Sequence, residues 1–106
     1  DSKEEMNREV PALLQEMLES NGLSEADLVS VLFTVTPDLT SQFPAAAART
    51  MGWSDIPLMC AVEIDVAGAL PRTVRVLAHA ESNKSRSEIT HIYRGGAKAL
   101  RPDLAP

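Results

Sequence analysis

The chain has 106 residues with 15 acidic and 10 basic side chains, which gives a formal net charge of -5 at pH 7. This length suits one domain that folds without disulfides or metals, and the negative charge argues against nucleic acid and anionic membranes as partners. The chain has one cysteine, two histidines and no apolar run near the roughly 20 residues of a membrane span, so we expect a cytoplasmic protein that binds no metal or membrane.

The first segment is typical of an amphipathic helix. Ser2 and Glu5 have the spacing of a capping box. Apolar residues follow at intervals of three and four, and these place one face toward a core: Met6, Val10, Leu13, Leu14, Met17 and Leu18. Pro11 lacks an amide donor and should kink or split the helix, and Asn21 with Gly22 should end it.

The next segments predict a short helical turn, a strand and a second helix. Ser24 and Asp27 open the turn. The β-branched, apolar run "VSVLFTV" at 29–35 predicts a buried strand. The loop "TPDLTSQFP" follows, where Asp38 is expected to accept backbone N–H bonds. Pro44 is then well placed as the first residue of the alanine-rich helix "PAAAARTM".

The second half of the chain is rich in strand signals. We predict strands at 56–66 and 72–80, joined by the turn "AGALP", and a short fourth strand in "ITHIY" at 89–93. Together the elements indicate an α+β fold, in which a mixed sheet has helices packed on one face. The other sheet face is too apolar to be solvated, so we expect an oligomer to cover it.

Two charged residues stand inside the apolar strand runs. Glu63 lies in the second predicted strand and Arg75 in the third, although a lone charge in a buried strand is costly. Strand alternation allows both to share one sheet face if the turn makes their strands neighbours, but the register cannot be read from sequence. A cross-strand ion pair on a wet face would contribute about 0–1 kcal/mol.

Several arginines in apolar surroundings favour a functional interpretation over a solvated ion pair. Arg49 in "AARTM" and Arg101 in "ALRPDL" also stand beside apolar residues. Because guanidinium groups match carboxylates in geometry, the pattern predicts a site for a small anion with several negative charges.

The sequence resembles the small homotrimeric chorismate mutases of the α/β type. The stretches that carry the resemblance are "FTVTPDLTSQFPAAAAR", "GWSDIPLMCAVEIDVAGALPRTVRVL" and "HIYRGGAKALRPDL". These stretches have the order and spacing of that family, and the similarity extends over nearly the whole chain. The resemblance implies a trimeric pseudo-barrel with active sites between subunits and chorismate as substrate. It also implies a Claisen rearrangement to prephenate, in phenylalanine and tyrosine biosynthesis, without a cofactor.

The resemblance also assigns roles to individual residues. Arg75 matches the arginine that donates to the breaking ether oxygen, and Glu63 the carboxylate that accepts from the ring hydroxyl. Cys60 matches a contact to the same hydroxyl, through its backbone N–H. Tyr93 matches a tyrosine near a substrate carboxylate. The remaining matches line the cleft or its entrance: Phe43, Ala45, Leu58, Met59, Leu100, Arg49 and Arg101.

The chain departs from the family pattern in two places. Members normally begin with a β-strand that carries another substrate-binding arginine, whereas residues 1–106 form one domain that starts at the following helix. We therefore expect the chain to be a fragment of a longer protein. A lysine common at the cleft entrance is replaced by Ala46, which should affect capture of the dianion more than the chemical step.

Two other functions remain open from sequence alone. Trimeric imine deaminases have comparable clefts lined by arginines, but the segments "TPDL" and "LRPDL" fit the mutases better. A trimer that binds an aromatic metabolite without turning it over would also suit the residues present.

Overall fold

A computed structural model describes residues 2–94. The helices are α1 at Lys3–Ser20 and α2 at Pro44–Arg49, and the strands are β1 at Leu28–Val35, β2 at Leu58–Val62 and β3 at Val74–Ala80. Single 3-10 turns lie at Glu25–Asp27 and Arg86–Glu88. The architecture is α+β with a mixed sheet, as the sequence predicts.

Helix α1 begins and ends at the predicted residues. The Ser2 hydroxyl accepts a hydrogen bond from the amide of Glu5 at 3.0 Å, and Asn21 is the C-cap. Of the two expected effects of Pro11, a kink or a split, the split does not occur, because Pro11 lies inside one continuous helix. The apolar stripe includes the buried residues Met6, Val10 and Leu14, and their packing outweighs one missing hydrogen bond.

The sheet has the order β2-β1-β3. Strand β1 pairs in parallel with β2 and antiparallel with β3, where a register shift lies between Leu28 and Ser30. The "AGALP" turn therefore does not make β2 and β3 neighbours. Residues 63–73 connect β2 to β3, which pairs with the opposite side of the central strand.

Both helices pack on one face of this sheet, as predicted. The core consists of residues from α1, from α2, from alternate positions of β1 and from the loop after α2: Met6, Val10, Leu14, Val31, Phe33, Ala45, Ala47, Ala48 and Trp53. Val74, Val76 and Ala78 pack against the core from β3. The opposite face of the sheet, which we call the open face, carries the side chains of the other parity.

The predicted fourth strand at 89–93 was wrong, because these residues form no strand. Instead, the amide of Thr90 donates to Asn21 Oδ1 at 2.8 Å, and Asn21 Nδ2 donates to the Thr90 carbonyl at 2.9 Å. A side chain at the end of α1 thus takes the hydrogen bonds that a neighbouring strand would have made.

Candidate active site

Glu63 and Arg75 form an ion pair that spans the central strand. Arg75 Nε lies 3.2 Å from Glu63 Oε2, although the two residues come from opposite sides of β1. Thr34 lies between them, since it pairs with Arg75 in β3 and with Ala61 in β2. Its hydroxyl donates to Glu63 Oε2 at 2.5 Å. The two charges do share one face, which strand alternation allowed, but their strands are not neighbours and the connection passes through a third strand.

The end of β2 explains how Glu63 reaches across the sheet. The Glu63 amide donates to the carbonyl of Val35 at 2.8 Å. The backbone therefore stays against β1 for one residue beyond the end of β2. The Glu63 side chain is only 16% exposed, whereas that of Arg75 is 56% exposed. The Glu63 carboxylate is therefore fixed in place by its neighbours, and the Arg75 guanidinium presents its remaining donors at the open face.

This arrangement suits recognition of an anion or a polar oxygen. Glu63 engages the Nε group of Arg75, and a guanidinium carries five N–H donors in all. The terminal amino groups make no hydrogen bond with the other residues in the described range 2–94. A half-exposed pair of this kind adds about 0–1 kcal/mol to stability, so its value to the isolated fold is small.

Apolar side chains continue the open face beside the ion pair. Leu32 of β1 pairs with Met59 on one side and with Leu77 on the other, which gives an apolar row across all three strands. Met59 is 62% exposed and Leu77 is 56% exposed. Met59, a predicted cleft residue, thus lies on the same face as Glu63 and Arg75.

Two further predicted residues line a groove of about 340 Å³ beside β2. Phe43, the N-cap of α2, and Cys60 both line it, together with Val35, Leu39 and Val62. Cys60 is half-buried and packs against the core. Its side chain therefore lies on the helix-packed face, and its backbone N–H contact with substrate stays a prediction.

Three other predicted residues lie on or beside α2 and β2. Ala45 is 5% exposed and belongs to the core, while Leu58 is half-buried and packs against the core. Arg49 is the exposed last residue of α2. Within one chain, these side chains do not join Glu63 and Arg75 on the open face.

Tyr93 lines a different groove, of about 890 Å³, between α1 and the start of β3. Met6, Val10, Thr73 and Arg94 line it too. Leu100 and Arg101 lie outside the described residues. The predicted site residues of one chain therefore occupy several separate places.

Thr34 is the functional candidate that sequence reasoning missed. Its parity is opposite to that of the buried Val31 and Phe33, which was the available signal. A threonine is common in strands for its β-branched shape, so its hydroxyl did not stand out.

Between residues 2 and 94, no group of three or more His, Cys, Asp or Glu side chains is arranged to hold a metal. Neither helix of this range has the length and hydropathy of a membrane span.

Comparison with known proteins identifies the family. The sequence profile described as chorismate mutase type I matches residues 1–104. The chain is 46% identical to chorismate mutase AroH of Thermus thermophilus over 105 residues, which are 98% of this chain and 86% of that protein. It is 36% identical to chorismate mutase AroH of Bacillus subtilis (strain 168), over 99% of this chain and 84% of that protein.

A solved structure agrees with these sequence relationships. A chorismate mutase from Clostridium thermocellum superposes with a TM-score of 0.90 at 48% identity, over 93% of this chain and 88% of that one. With the family profile and the relatives in agreement, the chain belongs to the type I chorismate mutase family.

Proposed function

We propose that this protein is an isomerase that converts chorismate to prephenate, with Arg75 and Glu63 at the reacting centre. The observation that carries the proposal is the ion pair at 3.2 Å, which presents a guanidinium on the open face of a chorismate mutase fold. The family match favours this activity over the imine deaminase that the sequence left open.

The reaction needs positioning and electrostatics more than reactive groups. The rearrangement is unimolecular: one ether C–O bond breaks while a C–C bond forms in the same molecule, so neither a nucleophile nor a cofactor is required. The enzyme must hold the compact diaxial conformer of chorismate. Negative charge then grows on the ether oxygen, and a fixed cation in a dry site stabilises it.

Arg75 and Glu63 have distinct roles in this mechanism. The terminal amino groups of Arg75 donate to the ether oxygen as its bond to carbon breaks. Glu63 accepts from the ring hydroxyl and, through Nε, fixes the plane of the guanidinium. The low end of enzymatic rate acceleration, about 8 kcal/mol, is within reach of positioning plus one such cation.

The active site of this proposal lies between subunits of a homotrimer. The apolar row of Leu32, Met59 and Leu77 suits burial against another subunit. Phe43 and Cys60 share a groove that Tyr93 does not line, so a neighbouring chain is the natural source of the missing contacts. In the same proposal the family resemblance assigns Leu100 to the cleft lining and Arg101 to the cleft entrance, and the enzyme is cytoplasmic.

The test is chorismate turnover by the purified protein, followed by the loss of chorismate absorbance. Arg75→Ala should lower kcat by at least about 100-fold, because removing one preorganised donor from a developing oxyanion costs this much, with a smaller change in KM. Glu63→Gln should be less harmful, since the amide oxygen still accepts a hydrogen bond.

Arg86→Ala is the matched control, because Arg86 is an exposed arginine in the second 3-10 turn. It should retain full turnover. If the wild-type protein binds chorismate but consumes it no faster than buffer, the protein is a binding module. If Arg75→Ala turns over at the wild-type rate, Arg75 does not have the role assigned to it.

A further inference from the structure

A polar cluster joins the end of β1 to the start of β3, and we call it the clasp. It consists of Thr36, Asp38, Arg72 and Thr73. The Thr36 amide donates to the Thr73 carbonyl at 3.0 Å, and the Thr73 amide donates to Thr36 Oγ1 at 3.0 Å. Both threonines are buried. The clasp therefore extends the β1–β3 ladder beyond its last strand pair.

Asp38 connects this cluster to the backbone of Arg72. The Thr36 hydroxyl donates to Asp38 Oδ1 at 2.6 Å. The Arg72 amide donates to both carboxylate oxygens, at 3.2 Å and 3.0 Å. The Asp38 carboxylate thus accepts hydrogen bonds from a residue just after β1 and from a residue just before β3.

The backbone that Asp38 holds is strained. Arg72 has φ +48°, and no other non-glycine residue in the range 2–94 has a positive φ. A residue with a Cβ adopts a positive φ only when surrounding contacts compensate for the strain. The hydrogen bonds from the Arg72 amide to Asp38 supply such contacts.

The strained residue lies close in the chain to the proposed catalytic pair. Thr36 is two residues beyond Thr34, and Arg72 is three residues before Arg75 along the chain that enters β3. The packing of Val74, Val76 and Ala78 against the core sets the face of the sheet that Arg75 occupies. The clasp closes the β1–β3 ladder at the end nearer Arg75, so it determines how firmly the start of β3 is held against β1.

The charge state of Asp38 fits this role. The hydrogen bond from the Thr36 hydroxyl, and then those from the Arg72 amide, lower the pKa of Asp38 below its usual value of 3.8. The carboxylate is therefore ionised at neutral pH, where it accepts from both donors.

We propose that Asp38 is a positioning residue for the reaction: by holding Arg72 in its left-handed conformation, it fixes the start of β3 and with it the placement of Arg75 against Glu63. The proposal rests on the function proposed above for Arg75. It predicts that Asp38 acts through backbone geometry, without touching substrate.

A rescue experiment tests this inference. Asp38→Ala removes the acceptor while Arg72 still resists a positive φ, so kcat should fall by about 10- to 100-fold, the range expected for small misplacement of a catalytic group. Adding Arg72→Gly removes the Cβ that opposes this conformation. The double variant should regain turnover to within about threefold of Arg72→Gly alone.

The Arg75 side chain gives a second readout that does not depend on turnover. Its Nε–H signal in an 15N-resolved NMR spectrum is assigned by its loss in Arg75→Lys. Protection of this proton from solvent exchange should fall in Asp38→Ala and return in the double variant. If Asp38→Ala does not fold, Asp38→Asn, which retains one acceptor oxygen, is paired with Arg72→Gly in the same comparison.

Asp55→Ala is the control, because Asp55 is an exposed carboxylate in the loop before β2; it should behave as wild type. If Asp38→Ala matches this control, or if Arg72→Gly restores neither turnover nor protection, the inference is wrong. Absence of chorismate turnover by the wild-type protein would instead refute the proposed function, and the proton exchange readout would still test the effect of Asp38 on Arg75.

Discussion

At the scale of single residues, the site depends on one hydroxyl in the central strand. The carboxylate of Glu63 is only 16% exposed, and a largely buried polar group is costly without hydrogen-bond partners. Arg75 is one partner, but its side chain is long and half-exposed. Thr34 is the stiffer partner, because its β-branched side chain has few rotamers and its hydroxyl lies 2.5 Å from Glu63 Oε2.

Replacing Thr34 tests its contribution. Thr34→Val retains the shape but loses the donor, and a hydrogen bond to a charged group is worth about 1.5–3 kcal/mol. We expect kcat/KM for chorismate to fall by about 10-fold, because Glu63 without the Thr34 hydroxyl would hold the guanidinium of Arg75 less rigidly. Thr34→Ser keeps the hydroxyl and should stay within about threefold of wild type. Equal rates for the valine and serine variants would contradict a role for the hydroxyl.

The sequence supplied part of this site and could not supply the rest. Glu63 and Arg75 stand out because charges interrupt apolar strand runs, and alternation places each on a defined face. Which strands are adjacent is a long-range property that no local pattern encodes. Thr34 therefore could not be linked to either charge until the order β2-β1-β3 was known.

At the scale of elements, local signals were reliable where one segment determines its own structure. The cap at Ser2, the proline at the start of α2 and the β-branched run of β1 all correspond to observed elements. The strands at 56–66 and 72–80 are shorter than predicted, at Leu58–Val62 and Val74–Ala80, because pairing ends before the apolar pattern does. Residues 89–93 have strand composition without a strand, since Asn21 binds their backbone.

Asn21 offers a test of that competition. Its side chain donates to the carbonyls of Met17 and Thr90 and accepts from the Thr90 amide. Asn21→Ala should lower the free energy of unfolding by about 1.5–4.5 kcal/mol, from three lost hydrogen bonds of about 0.5–1.5 kcal/mol each. Urea unfolding measures this change, and hydrogen exchange at Thr90 should become faster.

The control for this variant is Asn83→Ala, at an exposed position in the loop after β3. It should unfold at the wild-type urea concentration. Unchanged exchange at Thr90 in Asn21→Ala would show that residues 89–93 are held in place by other contacts.

At the scale of the whole molecule, the two sheet faces differ in how far they are buried. The helices bury one face, and there Phe33 and Val31 are almost fully buried. The open face has no such cover from residues 2–94, yet Met59 and Leu77 lie there with more than half of their surface exposed. Leaving them exposed forgoes the roughly 25 cal/mol that each Å² of apolar burial provides, and contact with another subunit in the proposed trimer would supply that burial.

A charge on the apolar row should separate assembly from folding. Leu77→Glu costs the isolated subunit little, because the side chain is 56% exposed, but in the trimer it would bury a carboxylate without a partner, at a cost of several kcal/mol. We expect wild-type protein to have the mass of three chains by analytical ultracentrifugation. The Leu77→Glu variant should have the mass of one chain, with its circular dichroism unchanged.

Measuring chorismate turnover of the same variant shows whether loss of the trimer also disables the active site. If the cleft is completed by a neighbouring subunit, Leu77→Glu loses chorismate turnover although it retains Glu63, Thr34 and Arg75. Gln15→Glu adds the same charge at an exposed position of α1 and should remain trimeric and active. A Leu77→Glu protein that is monomeric and fully active would place the whole reaction within one chain, and the subunit interface would then have no part in catalysis.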